Sequence, residues 1–534
     1  MKWRTGFIFW LLIIVFVAVM IRIGTLSMNS RILSVGYSQG SKTLTVATVR
    51  GTIYDRKGRN LVNNEYGYVA ALMPEQDLLA TIKTAVLRDT YRLLLEKAKE
   101  RLPLSVKLNR SIAETDGLCV FRVPVRYTST DCTHLIGYLN GSGQGVSGIE
   151  KAFESTLSEN TGKLTATFPI NGAGDRLETG KVEVQDTTAN SRGGVMLTID
   201  KDVQQVIDEI ADNTIAKGAV VVLNASGDLL ALSSRPDFDP QKPETALNST
   251  ESPLINRGLS KYDCGSVFKI VTAAAALEYG ISENQGYLCE GNLTVENTTF
   301  HCHNRQGHSL VNMEQAFAQS CNLYFIQLAQ EIGAERLLKM AEKLGLYDTI
   351  TLADGLVSAP ATLPTEYELQ TPAALANLSF GQGELLVSPL HIARMTATLT
   401  ANGTLPQIRA VIGTISKEGT LTEIESREGE TVLSAANTRK LCQMMEQVVL
   451  TGTGTAANPL YTTAAGKTGT AETGQLDENG VPITQSWFSG YFPADNPGYV
   501  ITVLVEDAGN SDNTAAEVFC EISNKLEQKR RNGE

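Results

Sequence analysis

The chain lacks any long run of basic residues; Lys529-Arg530-Arg531 is the densest group and reads as a solvated end. With Asp+Glu 58 against Lys+Arg 46 and a formal net charge of -12, nucleic acid is disfavoured as the main partner. It also lacks a C-x-x-C pair among its 8 cysteines, so spacing argues against a zinc site of the usual finger type. A second long apolar run is missing, which argues against a multi-span membrane sensor. No A-x-A cleavage site and no lipobox cysteine follow the first run, which argues against a cleaved signal peptide.

What is present begins with that first run. Lys2 and Arg4 precede the apolar stretch Phe7 to Ile21, and Arg22 can snorkel while Ile23 extends it. At roughly 1.5 Å per residue the stretch spans about 26 Å, near the short end for a membrane helix. The expectation is a retained signal anchor with the N-terminus in the cytoplasm and the bulk of the chain outside. The 534 residues, 42% hydrophobic and 19% charged, are too many for one core, so two or more domains are expected.

Leu44 to Val49 alternates as a strand, and Arg50 to Leu61 reads as strand, turn at Lys57-Gly58, strand. Asp89 to Arg101 reads as an amphipathic helix, and residues 115–190 mix short strands with Gly-rich turns. Ser191 to Gly194 looks like a boundary. Beyond it, Gly218 to Leu223 and Leu229 to Ser233 form a hairpin at Asn224-Ala-Ser-Gly-Asp228. Helices are expected near Val203–Ile215, Asn312–Gln319, Leu323–Ile332 and Ala334–Leu344, and from Pro389 to about Ala401, with Ser388 as N-cap. Strands are expected at Thr463–Glu472, Ser486–Phe492 and Tyr499–Val505, then a closing helix Ala515–Leu526. Strands at both ends with helices between predict one antiparallel sheet covered on both faces.

Three short motifs carry chemistry. Ser266 and Lys269 form S-x-x-K at the start of a helix that runs toward Gly280. The two side chains share one face, beside the positive helix end. Ser320-Cys321-Asn322 lies at a corner between two predicted helices. The same S-x-N spacing recurs at Ser27-Met28-Asn29, Ser158-Glu159-Asn160 and Ser282-Glu283-Asn284, which are given no role. Lys467-Thr468-Gly469-Thr470 lies in a strand, with a lysine and two hydroxyls suited to a carboxylate. Read alone, Gly469 leaves room for a ligand backbone to approach, or marks a bulge on an edge strand. Cys289 and Cys302 bracket a loop-like stretch, with His301 and His303 alongside. A disulfide in an oxidising compartment, a metal site, or two separately packed thiols remain open for that pair.

In the order S-x-x-K, S-x-N, K-T-G the motifs form the constellation of penicillin-binding proteins and class A β-lactamases. The chain resembles the class B, monofunctional penicillin-binding proteins. Arg50-Gly-Thr-Ile-Tyr-Asp-Arg-Lys-Gly58, His134-Leu-Ile-Gly137 and Gly145-Val-Ser-Gly-Ile-Glu150 are similar to the pedestal signatures of that family. Leu197-Thr-Ile-Asp200, Phe380-Gly-Gln-Gly383 and Trp487-Phe-Ser-Gly490 are similar to its transpeptidase segments. In two places the chain departs from the pattern. Cys264 stands where the family usually has proline, and the family's His-Gly is Gly307-His308 here, so His308 is given no catalytic part.

The resemblance implies an α/β transpeptidase fold: an antiparallel sheet flanked by helices, an extended, mostly β pedestal before it, and one transmembrane helix. The implied division is 1–27 anchor, 28–190 pedestal and 191–534 transpeptidase, with neither a glycosyltransferase domain nor wall-binding repeats. It implies a serine D,D-transpeptidase that cross-links peptidoglycan stem peptides ending in D-Ala-D-Ala. A D,D-carboxypeptidase side activity, inhibition by β-lactams, a membrane glycosyltransferase partner, no cofactor and no metal are implied as well. Ser266 is the implied nucleophile, Lys269 its base, Ser320 and Lys467 a proton relay, and Asn322 an amide holder. Thr468, Gly469 and Thr470 are implied to bind substrate, with backbone N–H groups of Ser266 and Thr470 as the oxyanion hole. Rival functions are a serine β-lactamase, for which no E-x-x-L-N segment is found, and a non-catalytic cell-wall scaffold.

Overall fold

The computed structural model describes residues 2–27, 40–128, 131–171, 173–177, 180–426, 428–476, 480, 482–508 and 514–533. Met28 and Asn29 of the first recurring S-x-N therefore lie outside the described residues. An N-terminal helix, Lys2–Ser27, is apolar along its length. Among the described residues it is the one helix long and apolar enough to cross a membrane.

The chain divides into two compact units that interleave in sequence rather than meeting at a single point. The first holds Met1–Gly51, Asn63–Thr128 and Asn160–Arg192; the second holds Thr52–Val62, Ser129–Glu159 and Gly193–Glu534. In the first unit, Ser41–Val49 pairs with Gly162–Pro169, which pairs with Glu183–Asp186, all antiparallel. A second sheet places Glu65–Leu72 between Leu104–Leu108 and Leu118–Val125. Arg88–Ala98 forms the amphipathic helix expected there, and its Leu94 is buried with Ala70, Leu72 and Leu104.

In the second unit, α1 (Lys201–Thr214) starts at Asp200, whose carboxylate accepts from Asp202 N–H at 3.1 Å. Next come β1 (Gly218–Leu223) and β2 (Leu229–Arg235), which pair as a hairpin. Asn224 closes its turn by accepting from Asp228 N–H at 2.8 Å. The helices α2 (Lys269–Glu278), α3 (Met313–Ala318), α4 (Asn322–Ile332), α5 (Pro389–Thr400) and α6 (Ala435–Leu450) follow. The chain returns through β3 (Ala465–Leu476), β4 (Pro482–Phe492) and β5 (Tyr499–Val505) to α7 (Thr514–Asn532).

The five strands form one antiparallel sheet in the order β2-β1-β5-β4-β3. Alternation sorts its faces. Val220, Val222, Phe488, Ile501 and Val503 pack with α1 and α7. On the other face Ser489 bonds Thr396 of α5 at 2.7 Å. The sheet is thus covered on both faces, as expected, and β3 is one of its two edges.

The signature at 50–58 acquires a physical reason. Thr52–Tyr54 runs parallel to Gly194–Leu197. Buried Asp55 accepts from Arg59 Nε at 2.8 Å, and Arg59 reaches Asp202 at 2.7 Å. Lys57 pairs with Asp202 at 2.8 Å. This segment, assigned from sequence to the pedestal stretch 28–190, packs inside the second unit and ties to the start of α1. The stretch read as a loop between Cys289 and Cys302 is instead a small hairpin, Asn292–Val295 with Thr298–His301. Its β-branched Thr294 and Thr299 bond across the strands at 3.1 Å.

Candidate active site

Gly265–Phe268 forms a single 3-10 turn that leads into α2. Gly265 is left-handed, with φ +52, and a Cβ there would meet the Thr470 carbonyl at 2.3 Å. Only glycine lets the S-x-x-K turn lie this close against the K-T-G strand. Gly469 has a related reason. A Cβ on it would strike the Cys264 carbonyl and Val267 at 2.8 Å. What approaches Gly469 is the turn that carries Ser266. The Trp487 indole, opposite Gly469 on β4, donates to the Asp263 carbonyl at 2.8 Å. Gly381 of Phe380-Gly-Gln-Gly383 accepts from Gly265 N–H at 3.1 Å, so that segment braces the turn from behind. Burial pushes the Cys264 thiol up to about 12; it stays protonated and packs as a small apolar group.

The corner between α3 and α4 carries the second motif. Asn312 and Gln315 form a capping box that starts α3. Ser320 then takes a left-handed backbone, φ +51, rare outside glycine and costly by roughly 1–3 kcal/mol. That turn throws its hydroxyl between two lysines. Ser320 Oγ lies 3.1 Å from Lys269 Nζ and 3.0 Å from Lys467 Nζ.

Lys269 has four oxygen neighbours. Two are obligate acceptors at short range, Asn322 Oδ1 at 2.6 Å and the Ser320 carbonyl at 2.7 Å. The other two are hydroxyls, Ser266 Oγ at 3.0 Å and Ser320 Oγ at 3.1 Å, which can donate as well as accept. A neutral amine fits this set: two N–H groups serve the carbonyl oxygens, and the lone pair faces the hydroxyls. Burial lowers Lys269 from the ordinary lysine range to about 7, with Cys321 and Cys302 opposing the shift. Lys467 is lowered as well, by burial and then by Lys269. Both side chains are fully buried, and neither has a carboxylate within ion-pair reach among the described residues. Aromatic faces stand in instead, Phe325 at 5.6 Å from Lys269 Nζ and Phe317 at 5.8 Å from Lys467 Nζ.

All three sequence motifs therefore meet in one place. The Thr468 hydroxyl bonds Thr453 at 2.8 Å. Thr453 was not found from sequence. It follows α6, and its only signal is the loop Thr451-Gly-Thr-Gly-Thr455. Asn322 donates to the His301 carbonyl at 3.4 Å.

One further cluster abuts the site. Cys289, Cys302, His308 and Cys321 bring their ligand atoms within 4.8 Å of one another. His308 Nδ1 lies 3.5 Å from the sulfurs of both Cys289 and Cys302, and Cys302 Sγ lies 4.0 Å from Cys321 Sγ. All the cysteines are free thiols here. The sequence reading named Cys289 and Cys302 but paired them with His301 and His303. In the structure His303 Nδ1 still lies 3.9 Å from Cys302 Sγ, but the converging set adds His308 and Cys321, and the no-metal expectation meets a four-ligand set.

Comparison with known proteins places the chain in a family. Residues 218–524 match the family described as "Penicillin binding protein transpeptidase domain". The chain belongs to the penicillin-binding protein family. Among its class B members it is 28% identical to stage V sporulation protein D of Bacillus subtilis, over 93% of this chain and 80% of that protein. It is 31% identical to peptidoglycan D,D-transpeptidase PbpA of Mycobacterium tuberculosis, over 67% of this chain and 77% of that one. In fold, this penicillin-binding protein is similar to penicillin-binding protein 3 of Mycobacterium tuberculosis, solved in complex with aztreonam. The TM-score is 0.65 at 23% identity, over 92% of this chain and 97% of that chain.

Proposed function

We propose that this penicillin-binding protein is a membrane-anchored peptidoglycan D,D-transpeptidase with Ser266 as its nucleophile. The observation that carries the reading is the buried, carboxylate-free pair Lys269 and Lys467 on either side of Ser320, with Lys269 Nζ 3.0 Å from Ser266 Oγ. Lys269 takes the Ser266 proton as Oγ bonds to the carbonyl carbon of the penultimate D-Ala. The proton passes through Ser320, held by Lys467, to the nitrogen of the departing D-Ala as the C–N bond breaks. The amine of a second stem peptide then attacks the acyl-enzyme, its proton returns by the same route, and Ser266 is restored. Water in place of the amine gives a carboxypeptidase side reaction. Thr468 and Thr470 hold the substrate carboxylate, Asn322 the stem amide, and the N–H groups of Ser266 and Thr470 the developing oxyanion.

The apolar helix Lys2–Ser27 supports a single-pass anchor with a cytoplasmic N-terminus and an extracytoplasmic catalytic unit. By family resemblance, residues 28–190 supply most of a pedestal, and the partner is a membrane glycosyltransferase.

The test is a time course of fluorescent penicillin on the detergent-purified chain beside Ser266→Ala. Persistent labelling that is absent in the variant supports the proposal. Labelling that turns over with drug consumed makes the protein a β-lactamase, and labelling that survives Ser266→Ala removes Ser266 as nucleophile.

A pH dependence follows. Only neutral Lys269 can accept the proton, and its titration lies at about 7. The second-order rate of β-lactam acylation is therefore expected to fall about tenfold per pH unit below 7 and to level off above it. Stopped-flow acylation from pH 5 to 9 checks this. A profile flat down to pH 5 removes Lys269 as base.

A further inference from the structure

Four soft ligand atoms converge beside the active site from four separate positions of the chain. Cys289 ends the short strand Tyr287–Cys289, Cys302 follows the hairpin strand Thr298–His301, His308 precedes Ser309–Val311, and Cys321 caps α4. The three cysteines are 1%, 1% and 0% exposed.

The spacing is that of a coordination tetrahedron. Metal–sulfur bonds of about 2.3 Å and metal–nitrogen bonds of about 2.0–2.1 Å give edges of about 3.8 Å between sulfurs and about 3.6 Å between sulfur and nitrogen. The observed edges are 4.0 Å for Cys302–Cys321 and 3.5 Å for both Cys289–His308 and Cys302–His308, and all the ligand atoms lie within 4.8 Å of one another. A disulfide needs about 2.05 Å between sulfurs, and any disulfide among three thiols leaves one behind.

The backbone is folded to hold this shape. Gly307 is left-handed, with φ +81, and a Cβ there would meet the Cys289 carbonyl at 2.1 Å. His308 N–H donates to that same carbonyl at 3.0 Å. The Asn304 side chain pins the Gly307 carbonyl at 2.8 Å. The segment around these ligands is otherwise poor in core. It has two two-stranded sheets, of which Leu288 and Leu310 stand exposed. Two-stranded pieces are marginal without a further source of stability, and a bound metal supplies one.

We infer that Cys289, Cys302, His308 and Cys321 bind one zinc ion, and that this ion fixes the corner from which Ser320 reaches the two lysines. Three thiolates and an imidazole in a closed tetrahedron select zinc over the harder divalent ions. The ion is structural: with four protein ligands no position is left for water or substrate. Its link to chemistry is Cys321, the middle residue of Ser320-Cys321-Asn322, which makes Cys321 a positioning residue. That second half rests on the transpeptidase reading above; the metal itself does not.

The test uses the untagged full chain in detergent under reducing conditions. Elemental analysis should find about one zinc per chain. Replacing zinc with cobalt(II) should give the visible absorption of a tetrahedral thiolate site. His308→Ala should lose most of the zinc, while His308→Cys, which restores a four-ligand set, should retain it. Stripping the metal with a chelator should slow β-lactam acylation, and zinc should restore it. A chain with no zinc and no cobalt uptake, or one in which mass spectrometry finds a disulfide among these cysteines, overturns the inference. Zinc-loaded protein whose acylation is unchanged after stripping overturns the positioning role. Zinc-loaded protein that β-lactams never label leaves the metal site standing and removes the transpeptidase reading.

Discussion

Lys269→Met is expected to slow acylation by β-lactam roughly 10²–10⁴-fold, the range for loss of a general base, while leaving stability within about 2 kcal/mol of the parent. The two halves of this result come from different terms. Moving a lysine from about 10.4 in the unfolded chain to about 7 in the fold costs on the order of 4 kcal/mol at neutral pH. Methionine fills the same volume without that cost. Against this, the Ser320 carbonyl and Asn322 Oδ1, now 2.7 and 2.6 Å from Nζ, lose their donor. Each such loss costs roughly 1–3 kcal/mol, so the terms nearly cancel. The sign with pH also follows. Lys269 titrates lower in the fold than in the unfolded chain, so the unfolded state binds the extra proton between about pH 7 and 10. Native stability from this group therefore rises with pH across that window and is flat below it. In Lys269→Met the rise should shrink, leaving the part due to Lys467. Denaturant melts at pH 7 and 9, with acylation kinetics alongside, measure all of this. A variant that unfolds easily yet acylates normally would show that Lys269 is a packing residue.

The three motifs were legible because each combines a chemical group with a local backbone demand. Gly265 stands directly before Ser266, the helix expected from Asn312 leads to Ser320, and Gly469 lies within an expected strand. Tyr499–Val505 was legible as a strand because both sheet faces are covered and the run is apolar but for Thr502. What stayed hidden depends on distant partners. His308 and Cys321 look inert alone; only the fold brings them to Cys289 and Cys302. The interleaving of Thr52–Val62 into the second unit rests on Arg59, held by the nearby Asp55, reaching Asp202, which lies far along the chain. The helix α6 was missed although its signal exists: Leu441, Met444, Met445 and Val448 recur at helical spacing behind a Ser434 cap. That omission also concealed Thr453.

Gly265→Ala should abolish most acylation without touching any group that carries a proton. At φ +52 an alanine pays the left-handed penalty, about 1–2 kcal/mol. Its Cβ would also fall 2.3 Å from the Thr470 carbonyl and 2.8 Å from the carbonyl carbon. These are backbone atoms in a strand held by β4, so the Ser266 turn and β3 must part by the better part of an ångström. The proposed oxyanion donors, the N–H groups of Ser266 and Thr470, sit on the two sides of that gap. Misplacing one such donor typically costs about 10²–10³ in rate, and both are displaced here. Gly280→Ala separates the two causes. Gly280 is also left-handed, φ +84, but nothing lies within 4 Å of a Cβ there. It should lose a similar 1–2 kcal/mol of stability and acylate as the parent does. Equal acylation by the two variants would mean that the contact between the S-x-x-K turn and the K-T-G strand does not set the oxyanion site. A large loss confined to Gly265→Ala, with Ser266, Lys269, Ser320 and Lys467 all intact, would place that loss in the spacing between the two backbones.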